Sequence, residues 1–101
     1  MLHMITTSSK LYKEIKKLKT THARKKSLYF IVEGHRCCQE ALSKINNDVV
    51  LIVTSEDYNG FIEDDRNLVV DLKEFNLLSQ TQSPQGIIIL ALKSDYVSLS
   101  F

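Results

Sequence analysis

The sequence predicts an α/β domain, a three-layer α/β/α sandwich built on a mainly parallel sheet of about four strands. Three observations carry this. The apolar runs at 28–32, 49–53 and 87–92 are unbroken, the pattern of strands covered on both faces rather than one. Amphipathic or polar stretches separate them, so strands and helices alternate along the chain. The length of 101 residues, 44% of them hydrophobic, suits one such domain.

In chain order, the hydroxyl-rich 6–9 reads as an N-cap for a helix over 10–19. There Leu11, Ile15 and Leu18 fall on one stripe and Lys10, Lys13, Lys16 and Lys17 on the far side. A polar, basic connection with room for a helical turn follows at 20–27, then the first strand, ended by Glu33-Gly34. From 34 to 45 the set Cys37/Cys38, Ala41, Leu42, Ile45 has helical spacing. Asn46-Asn47-Asp48 makes a turn into the strand at 49–53. Thr54-Ser55-Glu56-Asp57 resembles a helix start, with a short helix expected over 58–62 across Gly60. A charged loop at 63–67 leads to a short strand at 68–70, and Asp71 is placed to cap a helix through Leu72, Phe75 and Leu78. Pro84-Gln85-Gly86 turns the chain into the last strand, 87–92. The domain is therefore expected over 1–92, with 93–101 a linker or frayed end.

Composition excludes several classes. No apolar run approaches the ~20 residues of a membrane span, and residues 1–20 carry lysines without an apolar signal core. No membrane association is expected, and the cytosol is the default location. The two adjacent cysteines make no disulfide framework, and His3, His22 and His35 lack metal-ligand spacing. A reactive Cys37 near a helix start is one reading; two small hydrophobes on a buried helix face is the other. Phosphate-binding glycine motifs and a Gly-x-Ser-x-Gly nucleophile are absent. Glu63-Asp64-Asp65 reads either as a Mg²⁺ ligand set or as a solvated loop. One carboxylate at a strand end, Glu33, is not a catalytic constellation. The chain alone is therefore expected to be non-catalytic.

The net charge of +1 conceals a division. Residues 1–36 hold nine Lys/Arg and two Glu, a net +7, whereas 37–101 hold four Lys/Arg and ten Asp/Glu, a net −6. Such asymmetry points to nucleic acid or another polyanion. The candidate contacts are Lys10, Lys13, Lys16, Lys17, Arg24, Lys25, Lys26 and Arg36. Lysines release counterions from phosphates, and the two arginines add planar, bidentate contacts. A basic face meeting an acidic protein partner is the competing reading.

One string is more specific. Arg24, Phe30-Ile31-Val32-Glu33-Gly34, Arg36 and Glu40-Ala41-Leu42 follow Ile5-Thr6-Thr7 and Ile15-Lys16-Lys17-Leu18, and precede Ser83-Pro84-Gln85-Gly86-Ile87-Ile88. In this order they resemble the N-terminal substrate-binding domain of the SpoU/TrmH family of RNA 2′-O-ribose methyltransferases. The similarity runs from about Ile5 to Leu92, in pattern only over 46–79. His35 and Cys37-Cys38 stand where relatives often carry Pro and aliphatics.

The resemblance implies an L30e-like fold that grips structured RNA, ribosomal in many members, and presents a ribose to a separate knotted SPOUT domain. That domain binds S-adenosylmethionine. Its Asn-x-Gly-x-x-x-Arg, glycine-loop and Ser-Leu-Asn elements do not occur in this sequence, so no cofactor is expected in this chain. The chain is expected to be either a piece of such an enzyme or a free-standing RNA-binding relative of the L7Ae/L30e kind. Glu33 and Gly34 carry two readings, an RNA contact or the shaping of a strand-to-helix turn.

Overall fold

The computed structural model describes residues 2–60 and 63–93. The elements are α1 (Leu2–Lys17), α2 (Thr21–Lys26), β1 (Tyr29–Glu33), α3 (His35–Lys44), a 3₁₀ turn (Asn46–Asp48), β2 (Val49–Ser55), β3 (Asn67–Val70), α4 (Leu72–Leu78) and β4 (Ile87–Leu92). The sheet is four-stranded and mixed, in the order β1-β4-β2-β3. Among the described strands β2 and β3 are the hydrogen-bonded neighbours that run parallel, while β4 lies antiparallel to both β1 and β2.

The expected mainly parallel sheet is therefore wrong in direction. A fully covered apolar strand reads the same whichever way its neighbours run, because burial on both faces says nothing about polarity. Direction is settled by the return path. Residues 79–86 bring the chain back to the end of the sheet where β1, β2 and β3 finish, and β4 starts there, running down between β1 and β2. The unit β1-α3-β2 is thus a parallel crossover split by an inserted strand.

Two apolar clusters flank the sheet. On one face Ile15 of α1, Leu18 in the turn after it, and Phe75 and Leu78 of α4 pack with Leu51, Val53, Ile88 and Leu90. On the other, Cys38 and Ala41 of α3 pack with Val49, Ile52, Ile87, Ile89 and Ala91. Successive residues of β4, and of β2 from Leu51 onward, serve opposite faces, as the pleat requires; a register shift between Val49 and Leu51 breaks the alternation at the start of β2. Burying each large side chain contributes about 1.5–3 kcal/mol, which is why the Ile15/Leu18 stripe holds α1 in place.

Local differences have local causes. The helix expected from residue 10 starts at Leu2, without a cap at 6–9. No Gly or Pro interrupts that stretch, and once the packed turns nucleate the helix, each added residue costs little. Residues 20–27 do form a helix, α2, whose N-cap Thr20 accepts from the Ala23 N–H at 3.1 Å. The helix start expected at 54–57 is instead strand through Ser55, followed by a turn. Thr54 and Ser55 pair with Val69 and Val70 of β3, and Ser55 N–H donates to the Gly86 carbonyl at 2.9 Å. These ladder bonds use the groups a cap would need. The short helix expected over 58–62 is absent from Tyr58–Gly60, and its remainder, Phe61 and Ile62, lies outside the described residues. Of the tail expected from 93, Lys93 is tied by its N–H to the Leu28 carbonyl at 2.8 Å, and 94–101 lie outside the described residues.

Candidate nucleic-acid interface

The ends of β1, β2 and β3 and the start of β4 converge at one edge of the sheet. The two motifs singled out in the sequence meet there. Gly34 opens α3 with φ +102° and has no side chain to cap the helix. Gln85 supplies the cap from across the chain, its Oε1 accepting the His35 N–H at 2.7 Å. A Cβ on Gly34 would sit 3.2 Å from that same oxygen. Gly86, at φ +88°, allows a second close approach, since a Cβ there would lie 2.8 Å from Ser55 Oγ.

Glu33 faces the loop after α4. It accepts the hydroxyl of Ser79 and, at 3.0 Å, the N–H of Gln80. Gln80 is a junction: it accepts Arg24 Nη1 at 3.1 Å and donates to the Leu18 carbonyl at 3.1 Å. The residue after α1, the guanidinium of α2 and the end of β1 are therefore joined through one residue, the first two by the Gln80 side chain and Glu33 by its backbone N–H. Glu33 and Gly34 both shape the strand-to-helix turn, and both also border a recess of about 320 Å³ with Arg36 and Gln85.

The predicted basic residues do not all behave alike. Lys10, Lys13, Lys17, Lys25, Lys26 and Arg36 are exposed. Lys16 is engaged, 3.4 Å from Glu74 and 5.1 Å from the centre of the Tyr12 ring. Arg24 is held by Gln80 and by the Thr21 hydroxyl, both neutral, so its charge is directed but not cancelled.

No sequence pattern disclosed the larger hollow beside this turn, a cleft of about 530 Å³ lined in part by His35, Asp57, Tyr58, Phe75, Asn76 and Gln85. The rings of His35 and Tyr58 lie 5.8 Å apart and tilted by 50°, with the Tyr58 hydroxyl at His35 Nδ1. Partial burial pushes the Tyr58 phenol up from its ordinary value. Asp57 is held by the Ser55 hydroxyl at 2.6 Å. One signal was available: Gly34 at a helix start offers no cap of its own, which demands a partner from elsewhere.

The cysteines divide. Cys38 is fully buried and its thiol donates to the Val32 carbonyl at 3.4 Å. Burial first, then the neighbouring Cys37 and Glu33, push it up to about 12, so it remains a thiol at neutral pH. Cys37 is exposed, which corrects the reading of both as buried, because adjacent helical residues sit 100° apart and one face meets the sheet.

Asp64 is not free to ligate a metal. Its carboxylate accepts Arg66 Nε and Nη2 at 2.8 and 2.6 Å, and these bonds hold it down at about 2. Among the described residues no group of three or more His, Cys, Asp or Glu is placed to hold a metal ion, and no helix is long and apolar enough to cross a membrane.

A comparison with curated protein sequences finds no match to the chain. A family model, described as the MRM3-like substrate binding domain, matches residues 10–89. That span begins within α1 and ends within β4, taking in both glycine turns and all eight predicted basic positions. The chain belongs to the MRM3-like substrate-binding domain family, the kind of domain to which its resemblance to the SpoU-type methyltransferases pointed.

Proposed function

We propose that this chain is the RNA-gripping module of a SpoU/TrmH-type 2′-O-ribose methyltransferase. It holds structured RNA, ribosomal RNA in particular, for a separate catalytic SPOUT domain that supplies S-adenosylmethionine. The strand order and the helices on both faces support an L30e-like, three-layer reading of the fold. The family supports recognition of RNA.

One observation carries the choice of interface. Among the described residues, the three ion pairs engage only one of the eight predicted basic side chains, Lys16. Normal helix surfaces pair their charges with neighbours of opposite sign, and this one leaves them for a partner. The contact set is Lys10, Lys13, Lys16, Lys17, Arg24, Lys25, Lys26 and Arg36, with Lys16 contributing least.

Titration of the chain with a structured ribosomal RNA fragment at two salt concentrations tests the reading. Affinity is expected at low salt and falls as salt rises. Combined substitution Lys17→Glu, Lys25→Glu, Lys26→Glu and Arg36→Glu weakens binding by on the order of a hundredfold and leaves the circular dichroism unchanged. Salt-independent binding, or none at low salt, overturns it. Salt-suppressed self-association without RNA affinity would favour the protein-interaction reading instead.

A further inference from the structure

We propose that the cleft beside the Gly34 and Gly86 turns is a pocket for one unpaired nucleobase, distinct from the basic residues that meet the phosphates. The inference rests on the RNA-binding reading above and adds to it where the base goes and which bases fit.

Size and lining make the case. The cleft measures about 530 Å³, within the roughly 300–1,000 Å³ typical of small-ligand sites. Its aromatic wall is the tilted pair His35 and Tyr58. Bases splayed out of RNA structure stack on such rings and are read along their polar edges. Those edges would meet Asn59, Asn76 and Gln85, amides that both donate and accept, together with Asp57.

Charge decides against a phosphate as the occupant. The lining holds a carboxylate, Asp57, and neither Lys nor Arg. An anionic carboxylate repels phosphate and accepts from amino groups, so the pocket fits a neutral base bearing an exocyclic amine, adenine, cytosine or guanine before uracil. The phosphate has its own place. Arg36 lines the neighbouring recess, and Gln85 borders both hollows. A nucleotide extruded at this turn can set its base on one side of Gln85 and its backbone on the other.

Gln85 and Gly86 therefore serve twice. Gln85 caps α3 through its oxygen, and the missing Cβ of Gly86 leaves room for Tyr58, whose Cδ1 would otherwise lie 3.3 Å from it.

The test uses the full chain and four RNA dodecamers: oligo(A), oligo(C), oligo(U) and an abasic ribose-phosphate strand of equal charge. Binding is followed by amide chemical shifts and by affinity. The expected result is that oligo(A) and oligo(C) shift the amides of His35, Tyr58 and Gly86, whereas the abasic strand shifts only Lys and Arg positions. Tyr58→Ala lowers oligo(A) affinity by on the order of tenfold without changing its salt slope, and Tyr58→Phe restores it. Asp57→Asn, which keeps the Ser55 hydrogen bond, removes the preference over oligo(U). If the basic positions shift with every strand and the cleft never moves, the pocket is refuted while RNA binding stands. If no strand binds at low salt while the structured ribosomal fragment does, the pocket is likewise refuted and the RNA reading stands; if neither binds, both fall.

Discussion

The two ends of the sheet are closed by different chemistry. Where β2 begins, a single charged side chain does most of the joining. Arg66 donates to the carbonyls of Asn46 and Val49 at 2.9 and 3.0 Å, to Asn46 Oδ1 at 2.8 Å, and to Asp64. Where β2 ends, closure is shared among amides, hydroxyls, the Glu33 carboxylate and two left-handed glycines, and two hollows remain. The first end satisfies its own polar groups. The second leaves amides, rings and a guanidinium facing solvent, which suits it to the contact proposed above.

Three substitutions or conditions break this contrast. Gly86→Ala carries the largest expected loss, about 3 kcal/mol. It adds backbone strain at φ +88° to a Cβ placed 2.8 Å from the buried Ser55 hydroxyl. Thermal unfolding measures it, and a midpoint within 2 °C or so of the parent would refute the close-approach role. Arg66→Ala is expected to cost about 2 kcal/mol, since it strands two carbonyls and a carboxylate at the opposite end. RNA affinity measured well below the unfolding midpoint should not change. A lost affinity would show that the two ends are coupled.

The smallest effect is a pH dependence. Asp64 titrates at about 2 in the folded chain, below its ordinary 3.8, because Arg66 holds the charged form. Its contribution is complete above about pH 4 and disappears as pH falls toward 2. Solvent screening at this partly exposed site limits it to about 1 kcal/mol. Unfolding midpoints of the parent and Arg66→Ala should therefore approach each other over that interval. A gap that stays constant would mean that the carbonyl contacts alone carry the clasp.

How much of this was legible depended on distance along the chain. The strand at 87–92 coincides with β4, and the Asp71 cap accepts the Glu74 N–H at 2.7 Å, because runs and caps are local signals. Strand order was not, since β1 and β4 pair across some sixty residues and apolarity carries no direction. The same limit hid the Arg66 clasp, which reaches back 17 and 20 residues, and the Gln85 cap, which reaches back 50. Arg24 and Lys16 read identically as exposed cations. Only the fold separates one steered by Gln80 from one occupied by Glu74.

The inserted position of β4 has a consequence for synthesis. On the ribosome β1 and β2 emerge early, but the strand that lies between them comes last. No native sheet can close until residues 87–92 have left the exit tunnel, and pairing so remote in sequence folds slowly compared with local hairpins. The lysine-rich helix is exposed throughout that interval. During translation the basic helix exists before the sheet that is to orient it.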